Sequence, residues 1–233
     1  MVALPIYNQK DYIPKIDLSN LIAYGVKSSE AQNIIQEIKK ASEEVGFFTV
    51  TNHGVSSQSI NKITTTARSF FHLPLDKKLT IAPKKWNKNT DTVYRGYFPS
   101  EVNGKEGLDI GDPLLTHDMT NLTQKEKFEV NHNMSAIDQD WQNTINNYYD
   151  QVFVLGIHLF KALISCFSSN VELADFAFQR PKTLSTLRFN YYPNQEKPVE
   201  ISSQDGVALG CETHVDSGIM TILYQDKKGG LQV

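Results

Sequence analysis

His214 and Asp216, separated by one residue, are the side chains in this chain best suited to hold a metal ion. Residues two apart on a β-strand point to the same face, so the imidazole and the carboxylate would lie side by side. They are two of the three protein ligands that hold non-haem Fe(II) in a 2-His-1-carboxylate site. The spacing alone is weak evidence, because a chain with six histidines would contain it by chance in roughly one case in three. The alternative interpretation is a hydrogen-bonded strand histidine followed by a turn aspartate.

A second polar group lies just before, in the stretch from Arg188 to Tyr192. If this stretch is a strand, Arg188, Asn190 and Tyr192 share one face and the apolar side chains share the other. A face that carries a guanidinium, an amide and a phenol can hold a carboxylate or a carbonyl through several hydrogen bonds. A solvent-facing strand edge is the alternative.

The elements that would position these residues follow from the spacing of apolar side chains. Period-3.6 patterns predict helices, the first preceded by a Ser29–Gln32 capping box and ended by Gly46. Alternating or continuous apolar runs predict strands. Between them, residues 84–129 are polar and irregular, as in a binding loop or lid. The expected helices are 31–45, 57–71 and 140–167, and the expected strands are 13–18, 47–51 (buried), 183–192, 208–216, 219–225 and 230–233.

Composition narrows the class of protein. The chain has 233 residues, 40% hydrophobic and 21% charged, as expected of a globular protein. A net charge of -3 gives no reason to expect nucleic acid or an anionic membrane as a partner. Two distant cysteines fit a reducing compartment, and neither a signal peptide nor a transmembrane run is evident. We therefore expect a cytoplasmic protein.

Several segments together resemble one family. The front half contains the segments 13–18, 44–54, 70–74 and 95–97, and the rear contains Asn190-Tyr191-Tyr192-Pro193, His214-Val215-Asp216 and 225–233. In this order and at these separations they resemble the isopenicillin-N-synthase-like Fe(II)/2-oxoglutarate-dependent oxygenases. That group also includes plant flavonoid, gibberellin and aminocyclopropanecarboxylate oxidases. The resemblance covers most of the chain.

The resemblance implies an α+β fold, with an N-terminal helical region packed on a double-stranded β-helix (jelly-roll) core that is incomplete at the C-terminus. It implies an N-terminal dioxygenase region at 12–118. A linking loop and a long support helix would follow at 119–180, and the start of the jelly-roll domain would occupy 181–233. Members use the iron to oxidise a small organic substrate with O₂, by hydroxylation, desaturation or cyclisation.

The resemblance also assigns roles to single residues. His214 and Asp216 are similar to the first two iron ligands, and Asn190 and Tyr192 to positions that contact 2-oxoglutarate. Arg95 and Tyr97 lie where some relatives contact substrate. The expected cofactor is therefore Fe(II), with 2-oxoglutarate as co-substrate. His53 and His72 lie in stretches that resemble structural turns, and we expect neither to bind iron.

The sequence differs from the family pattern in one respect. Members continue past the position of Val233 with a distal histidine and an Arg-x-Ser pair that binds the far carboxylate of 2-oxoglutarate. The chain is therefore expected to be a fragment of an oxygenase. Two alternatives stay open: an oxidase that does not use 2-oxoglutarate, as isopenicillin N synthase does not, and a degenerate, non-catalytic homologue.

Overall fold

A computed structural model describes residues 13–100, 105–115, 130–181, 183–193, 211, 214–216, 218–229 and 231. These form two compact units. The first consists of the residues up to Ser56 together with Gln151–Gln179, and the second of Ser57–Asp150 together with the residues from Arg180 onward. No described helix is long and apolar enough to cross a membrane.

The helices follow the apolar periodicity of the sequence. They are α1 (Ser19–Tyr24), α2 (Gln32–Glu44), α3 (Ser57–Phe71), α4 (Leu75–Leu79), α5 (Gln139–Ser165) and α6 (Leu173–Ala177), with short 3-10 turns at Ser29–Ala31 and Met134–Ala136. The three longest, α2, α3 and α5, are the three that the periodicity predicts. The strands are β1 (Lys15–Asp17), β2 (Thr49–Thr51), β3 (Gly96–Phe98), β4 (Glu106–Ile110) and β5 (Leu187–Tyr191).

The ends of α2 show one agreement and one correction. Gly46 has φ of +80° and its N–H donates to Ala41 O at 2.9 Å, so the helix ends at the expected glycine stop. At the start, the predicted capping box is wrong. Ser28 Oγ accepts from Ala31 N at 3.2 Å, one residue earlier than expected, because a 3-10 turn precedes the helix.

The first unit contains a two-stranded parallel sheet in which β1 pairs with β2, Ile16 lying opposite Val50. The prediction that 47–51 is a buried strand is correct for the strand and wrong for the burial. Phe47 and Thr49 are exposed. The alternate residues Phe48 and Val50 are half-buried, so one face of this segment is covered in part and the other is open at Phe47 and Thr49.

The second unit contains an antiparallel sheet of order β3-β4-β5. Its first two strands lie inside the stretch expected to be irregular, so that expectation is wrong for residues 96–98 and 106–110. The polar residues that suggested a loop are used within the sheet instead. Asp109 is buried and lies directly opposite Arg188 of β5.

The strands expected after β5 are not observed in the described residues. Residues 219–225 form no strand, and neither do 214–216. A strand is stable when its backbone groups pair with a neighbouring strand, and no such pairing involves these segments within the part of the chain that the structure describes. The remainder of the expected strand 208–216 lies outside the described residues except for Cys211, which is in no strand, and so does all of 230–233 except Leu231.

Candidate metal and co-substrate site

His214 and Asp216 lie together although no strand holds them. His214 Nε2 is 3.3 Å from Asp216 Oδ1, and both side chains are more than half exposed. Thr221 Oγ1 donates to the other carboxylate oxygen, Asp216 Oδ2, at 2.6 Å. The thiol of Cys211 lies 3.8 Å from His214 Nδ1. These contacts join residues close in sequence, and Thr221 fixes the direction of the carboxylate.

This donor pair fits part of an Fe(II) site. Nitrogen and oxygen ligands lie about 2.0–2.2 Å from a first-row metal, so two ligands at right angles are about 3 Å apart. The observed 3.3 Å is close to that separation. A third donor is missing from the group, because the described residues contain no cluster of three or more His, Cys, Asp or Glu side chains that could hold a metal ion.

The polar face predicted for 188–192 is present. Along β5 the side chains alternate, with Leu187, Phe189 and Tyr191 half-buried and Arg188 and Asn190 exposed. Tyr192, the residue after the strand, is also exposed. Partial burial of its ring, with a smaller contribution from Cys211, raises the pKa of the Tyr192 phenol. Cys211 also lies 3.8 Å from His214 Nδ1.

Arg188 already binds a carboxylate, that of Asp109 on β4. Its Nε and Nη2 donate to Asp109 Oδ1 and Oδ2 at 2.7 and 2.5 Å. These hydrogen bonds raise the pKa of the guanidinium, and the charges of Asp216 and Cys211 contribute further. The pair is asymmetric, because Asp109 is 4% exposed and Arg188 is 59% exposed. The buried Asp109 therefore holds the guanidinium of Arg188 in place while most of that side chain stays exposed.

Arg95 and Tyr97, the two candidate substrate contacts, lie in the interior. Arg95 Nη1 donates to Thr186 Oγ1 at 2.7 Å. Tyr97 is 1% exposed, and its hydroxyl donates to Glu106 Oε2 at 2.5 Å. Burial, followed by Glu106, raises the pKa of the Tyr97 phenol well above its ordinary value. A contact with substrate stays a prediction for both residues.

Two histidines that were not expected to bind iron have other partners. His53 Nδ1 accepts a hydrogen bond from Val55 N at 3.2 Å, within the turn between β2 and α3. His72 Nε2 lies 3.4 Å from the hydroxyl of Tyr191.

Three residues near the site are not identifiable from the sequence: Thr221, Cys211 and Asp109. The sequence places Thr221 in a strand that does not form, and Asp109 in a loop that is a strand. Their roles depend on contacts with residues 5, 3 and 79 positions away, respectively. The cross-strand pairing of Asp109 with Arg188 has no local sequence signal. The spacing of five residues between Asp216 and Thr221 is also no more informative than chance.

Comparison with known families places this geometry in a class. Residues 13–150 match the model described as "non-haem dioxygenase in morphine synthesis N-terminal". Residues 183–233, which include every candidate iron and 2-oxoglutarate residue, match that of the 2OG-Fe(II) oxygenase superfamily. The chain belongs to this superfamily, in the isopenicillin-N-synthase-like family that carries the non-haem dioxygenase N-terminal region.

Characterised relatives support the assignment. The chain is 26% identical to 1-aminocyclopropane-1-carboxylate oxidase of Dictyostelium mucoroides, over 95% of the chain and 66% of that protein. It is 29% identical to flavone synthase of Petroselinum crispum, over 97% of the chain and 56% of the relative. It is 26% identical to isopenicillin N synthase of Streptomyces griseus, over 99% and 70%. The chain thus spans less than two thirds of the length of the first two relatives.

Solved structures show the same fold. A full-length protein of Neurospora crassa, solved in complex with alpha-KG and 5-formyluracil, superposes with a TM-score of 0.60 at 21% identity, over 82% of this chain and 56% of that protein. A 2OG-Fe(II) oxygenase family protein from Caulobacter crescentus gives a TM-score of 0.64 at 18% identity, over 79% and 57%. The mixed α+β architecture is therefore that of 2OG oxygenases.

Proposed function

We propose that this chain supplies part of the Fe(II) and 2-oxoglutarate site of an oxygenase that oxidises a small organic substrate with O₂. The observation that carries the proposal is the 3.3 Å separation between His214 Nε2 and Asp216 Oδ1. Family membership supports it, since the superfamily is defined by this metal and co-substrate. The names of the relatives, among them flavone synthase and isopenicillin N synthase, favour a small organic substrate.

Each residue has a distinct role in this proposal. His214 and Asp216 would hold the iron, and Thr221 would keep Asp216 turned toward it through the 2.6 Å hydrogen bond. Asn190 and Tyr192 would contact 2-oxoglutarate from the exposed face at the end of β5. Arg95 and Tyr97 would contribute to the substrate side. Bound Fe(II) with 2-oxoglutarate would supply the oxidising chemistry, whereas the protein residues bind, orient and exclude water.

We also propose the domain layout that the resemblance implies: an N-terminal region at 12–118, a linking loop and support helix at 119–180, and the start of a jelly roll at 181–233. β5 would be an early strand of that jelly roll. Its alternation of half-buried and exposed side chains supports this, because such alternation is usual in a sheet with one covered face.

Two other functions are alternatives to this proposal. An oxidase that works without 2-oxoglutarate is favoured by the similarity to isopenicillin N synthase. A non-catalytic homologue is the second alternative. These alternatives differ in what the chain should bind: iron without 2-oxoglutarate in the first case, and neither in the second.

The test is anaerobic titration of the 233-residue chain with Fe(II), with and without 2-oxoglutarate, followed by visible absorption. We expect a weak charge-transfer band that requires both components and disappears in His214→Ala and Asp216→Ala. His53→Ala is the matched control and should keep the band. Iron binding with no effect of 2-oxoglutarate would favour the second type of oxidase. A folded chain that binds no iron would contradict the proposal.

A further inference from the structure

The second unit contains a buried charged network that the proposed site does not include. Lys78, on α4, is 6% exposed, although lysine is almost never fully buried without a partner. Its Nζ donates to Glu106 Oε2 at 2.5 Å and to the backbone carbonyl of Phe71 at 3.1 Å. The ring of Tyr97 lies 5.0 Å from the same nitrogen, within range of a cation–π contact.

The carboxylate in this network has two donors. Glu106 Oε2 accepts from Lys78 and also from the hydroxyl of Tyr97 at 2.5 Å. Both hydrogen bonds involve a charged group and are therefore among the stronger kinds. Glu106 is the first residue of β4 and lies directly opposite Tyr191 of β5. The network is therefore attached to the end of β5 from one side.

The other partner of Lys78 reaches the same residue by a separate route. The ring of Phe71 stacks on the ring of Tyr191, with centroids 5.0 Å apart and planes 13° from parallel. Lys78 binds the backbone carbonyl of Phe71. Lys78 thus links the two groups that flank Tyr191, one through the strand ladder and one through ring stacking.

Tyr191 lies between Asn190 and Tyr192, the two residues proposed to contact 2-oxoglutarate. Any rotation or slip of Tyr191 would move both, because successive side chains alternate across a strand. Burying a charged pair is costly, and an apolar replacement of similar volume is often as stable or more so. Stability alone therefore does not explain a lysine at this position. Holding the end of β5 in place does explain it.

We propose that Lys78, through Glu106 and Phe71, is a positioning residue that holds Tyr191 and thereby sets Asn190 and Tyr192 for the co-substrate. The inference rests on the proposed function for the identity of the ligand. The connection from Lys78 to Tyr191 through Glu106 and Phe71 is independent of that function, because it consists of observed contacts.

The test compares Lys78→Met, which keeps length and removes the charge, with Lys62→Met on the exposed face of α3. Hydrogen exchange in peptides covering 187–192 should rise roughly tenfold or more in Lys78→Met, while exchange in α2 stays unchanged and Lys62→Met has no effect. Should Lys78→Met fold poorly, the triple variant Lys78→Met/Glu106→Leu/Tyr97→Phe replaces the whole network by apolar groups. This triple variant should keep the wild-type Tm or exceed it, yet peptides covering 187–192 should exchange faster than in the wild type, as in Lys78→Met.

A second measurement addresses the co-substrate, with Co(II) as the metal and 2-oxoglutarate as the probe. We expect 2-oxoglutarate to bind roughly tenfold more weakly to Lys78→Met, as for other outer partners of a metal site. Tyr192→Phe should then have less effect in the Lys78→Met background than in the wild type, a coupling that a purely structural role would not produce.

The outcomes separate the two hypotheses. Faster exchange spread evenly over the chain would overturn the inference, and so would unchanged 2-oxoglutarate affinity in a wild type that binds it. If the wild type binds no 2-oxoglutarate, the proposed function fails along with the co-substrate role of Lys78. The exchange data would in that case still decide whether Lys78 holds β5.

Discussion

The interior around Phe70 and the segment that carries His214 and Asp216 are built by different kinds of contact. Phe70 is buried among the aromatic rings of Phe71, Tyr97 and Trp141. The metal pair is exposed. The contacts His214–Asp216, Cys211–His214 and Thr221–Asp216 each join residues no more than five positions apart. We infer that the interior sets the stability of the fold, whereas local side-chain contacts set the geometry of the metal pair. Mutations in the two regions should then affect different measurements.

The largest expected difference in stability is between Phe70→Ala and Val215→Ala. Phe70 is 1% exposed and its ring lies 5.0 Å from that of Trp141, so truncation should cost about 3–5 kcal/mol. Val215 is 94% exposed, and its truncation should change stability by less than about 0.5 kcal/mol. Urea unfolding of both variants measures the difference. Equal losses would show that the segment around Val215 is part of the cooperative core.

A similar contrast applies to ion pairs. Arg180 donates from Nε and Nη2 to the two oxygens of the buried Asp112, each at 2.7 Å. Arg180→Ala would leave that carboxylate buried without its cation, which typically costs about 3–5 kcal/mol. Lys84 pairs with Asp91 at 2.8 Å on the surface, and Lys84→Ala should cost less than about 1 kcal/mol.

The measurement is again chemical denaturation of both variants at neutral pH. A loss below about 1 kcal/mol for Arg180→Ala would mean that removing the cation does not leave Asp112 as an uncompensated buried charge. That result would argue against the inference that buried contacts set the stability of the fold and exposed contacts do not.

These contrasts also show which parts of the structure the sequence could predict. Helices α2, α3 and α5 are predictable because each buries one apolar stripe, and that stripe recurs in the sequence every three or four residues. The alternation along β5 is predictable for the same kind of reason. β3 and β4 are not, because β3 has only three residues and the polar residues of β4 bind distant partners. Asp109 is bound by Arg188, 79 residues later, and no local pattern reports such a pairing.

The residues of the candidate site can be predicted from residue types and the spacing of motifs. Only part of the geometry of the site can be predicted in the same way. A strand was expected to bring His214 and Asp216 to one face. The two side chains do lie together, but without a strand, through a direct contact of 3.3 Å. The prediction of a strand at 219–225 is wrong, because an apolar composition does not by itself supply a neighbouring strand for backbone pairing. Thr221, which lies in that segment, instead binds Asp216.

A smaller effect is expected at Thr221, and it concerns metal affinity rather than stability. Thr221→Val removes the hydroxyl that donates to Asp216 Oδ2 at 2.6 Å and leaves the side-chain volume similar. We expect Co(II) or Fe(II) affinity to fall about 10–100-fold, as for other residues that orient a metal ligand. Thr221→Ser, which keeps the hydroxyl, should stay near the wild type. Calorimetric titration with the metal measures both, and equal affinities in Val and Ser variants would argue against an orienting role.

The smallest expected effect is a dependence of stability on pH that arises in the first unit. Burial, followed by the charge of Lys161, lowers the pKa of the His158 imidazole below its ordinary value of 6.5. The unfolded chain therefore binds a proton at His158 more readily than the folded chain does. Stability from this group is present above about pH 6.5 and is lost as pH falls below it.

We therefore expect the wild type to lose free energy of unfolding between about pH 7.5 and about pH 5.5, and His158→Gln to lose less over the same interval. Lys161→Gln should reduce the loss only in part, because Lys161 is the second of the two causes. Urea unfolding of the three proteins at both pH values measures the slopes. Identical slopes in wild type and His158→Gln would mean that other groups govern the acid sensitivity. A reduced slope would instead assign the acid sensitivity to a half-buried histidine of the first unit, far from the candidate metal pair in sequence.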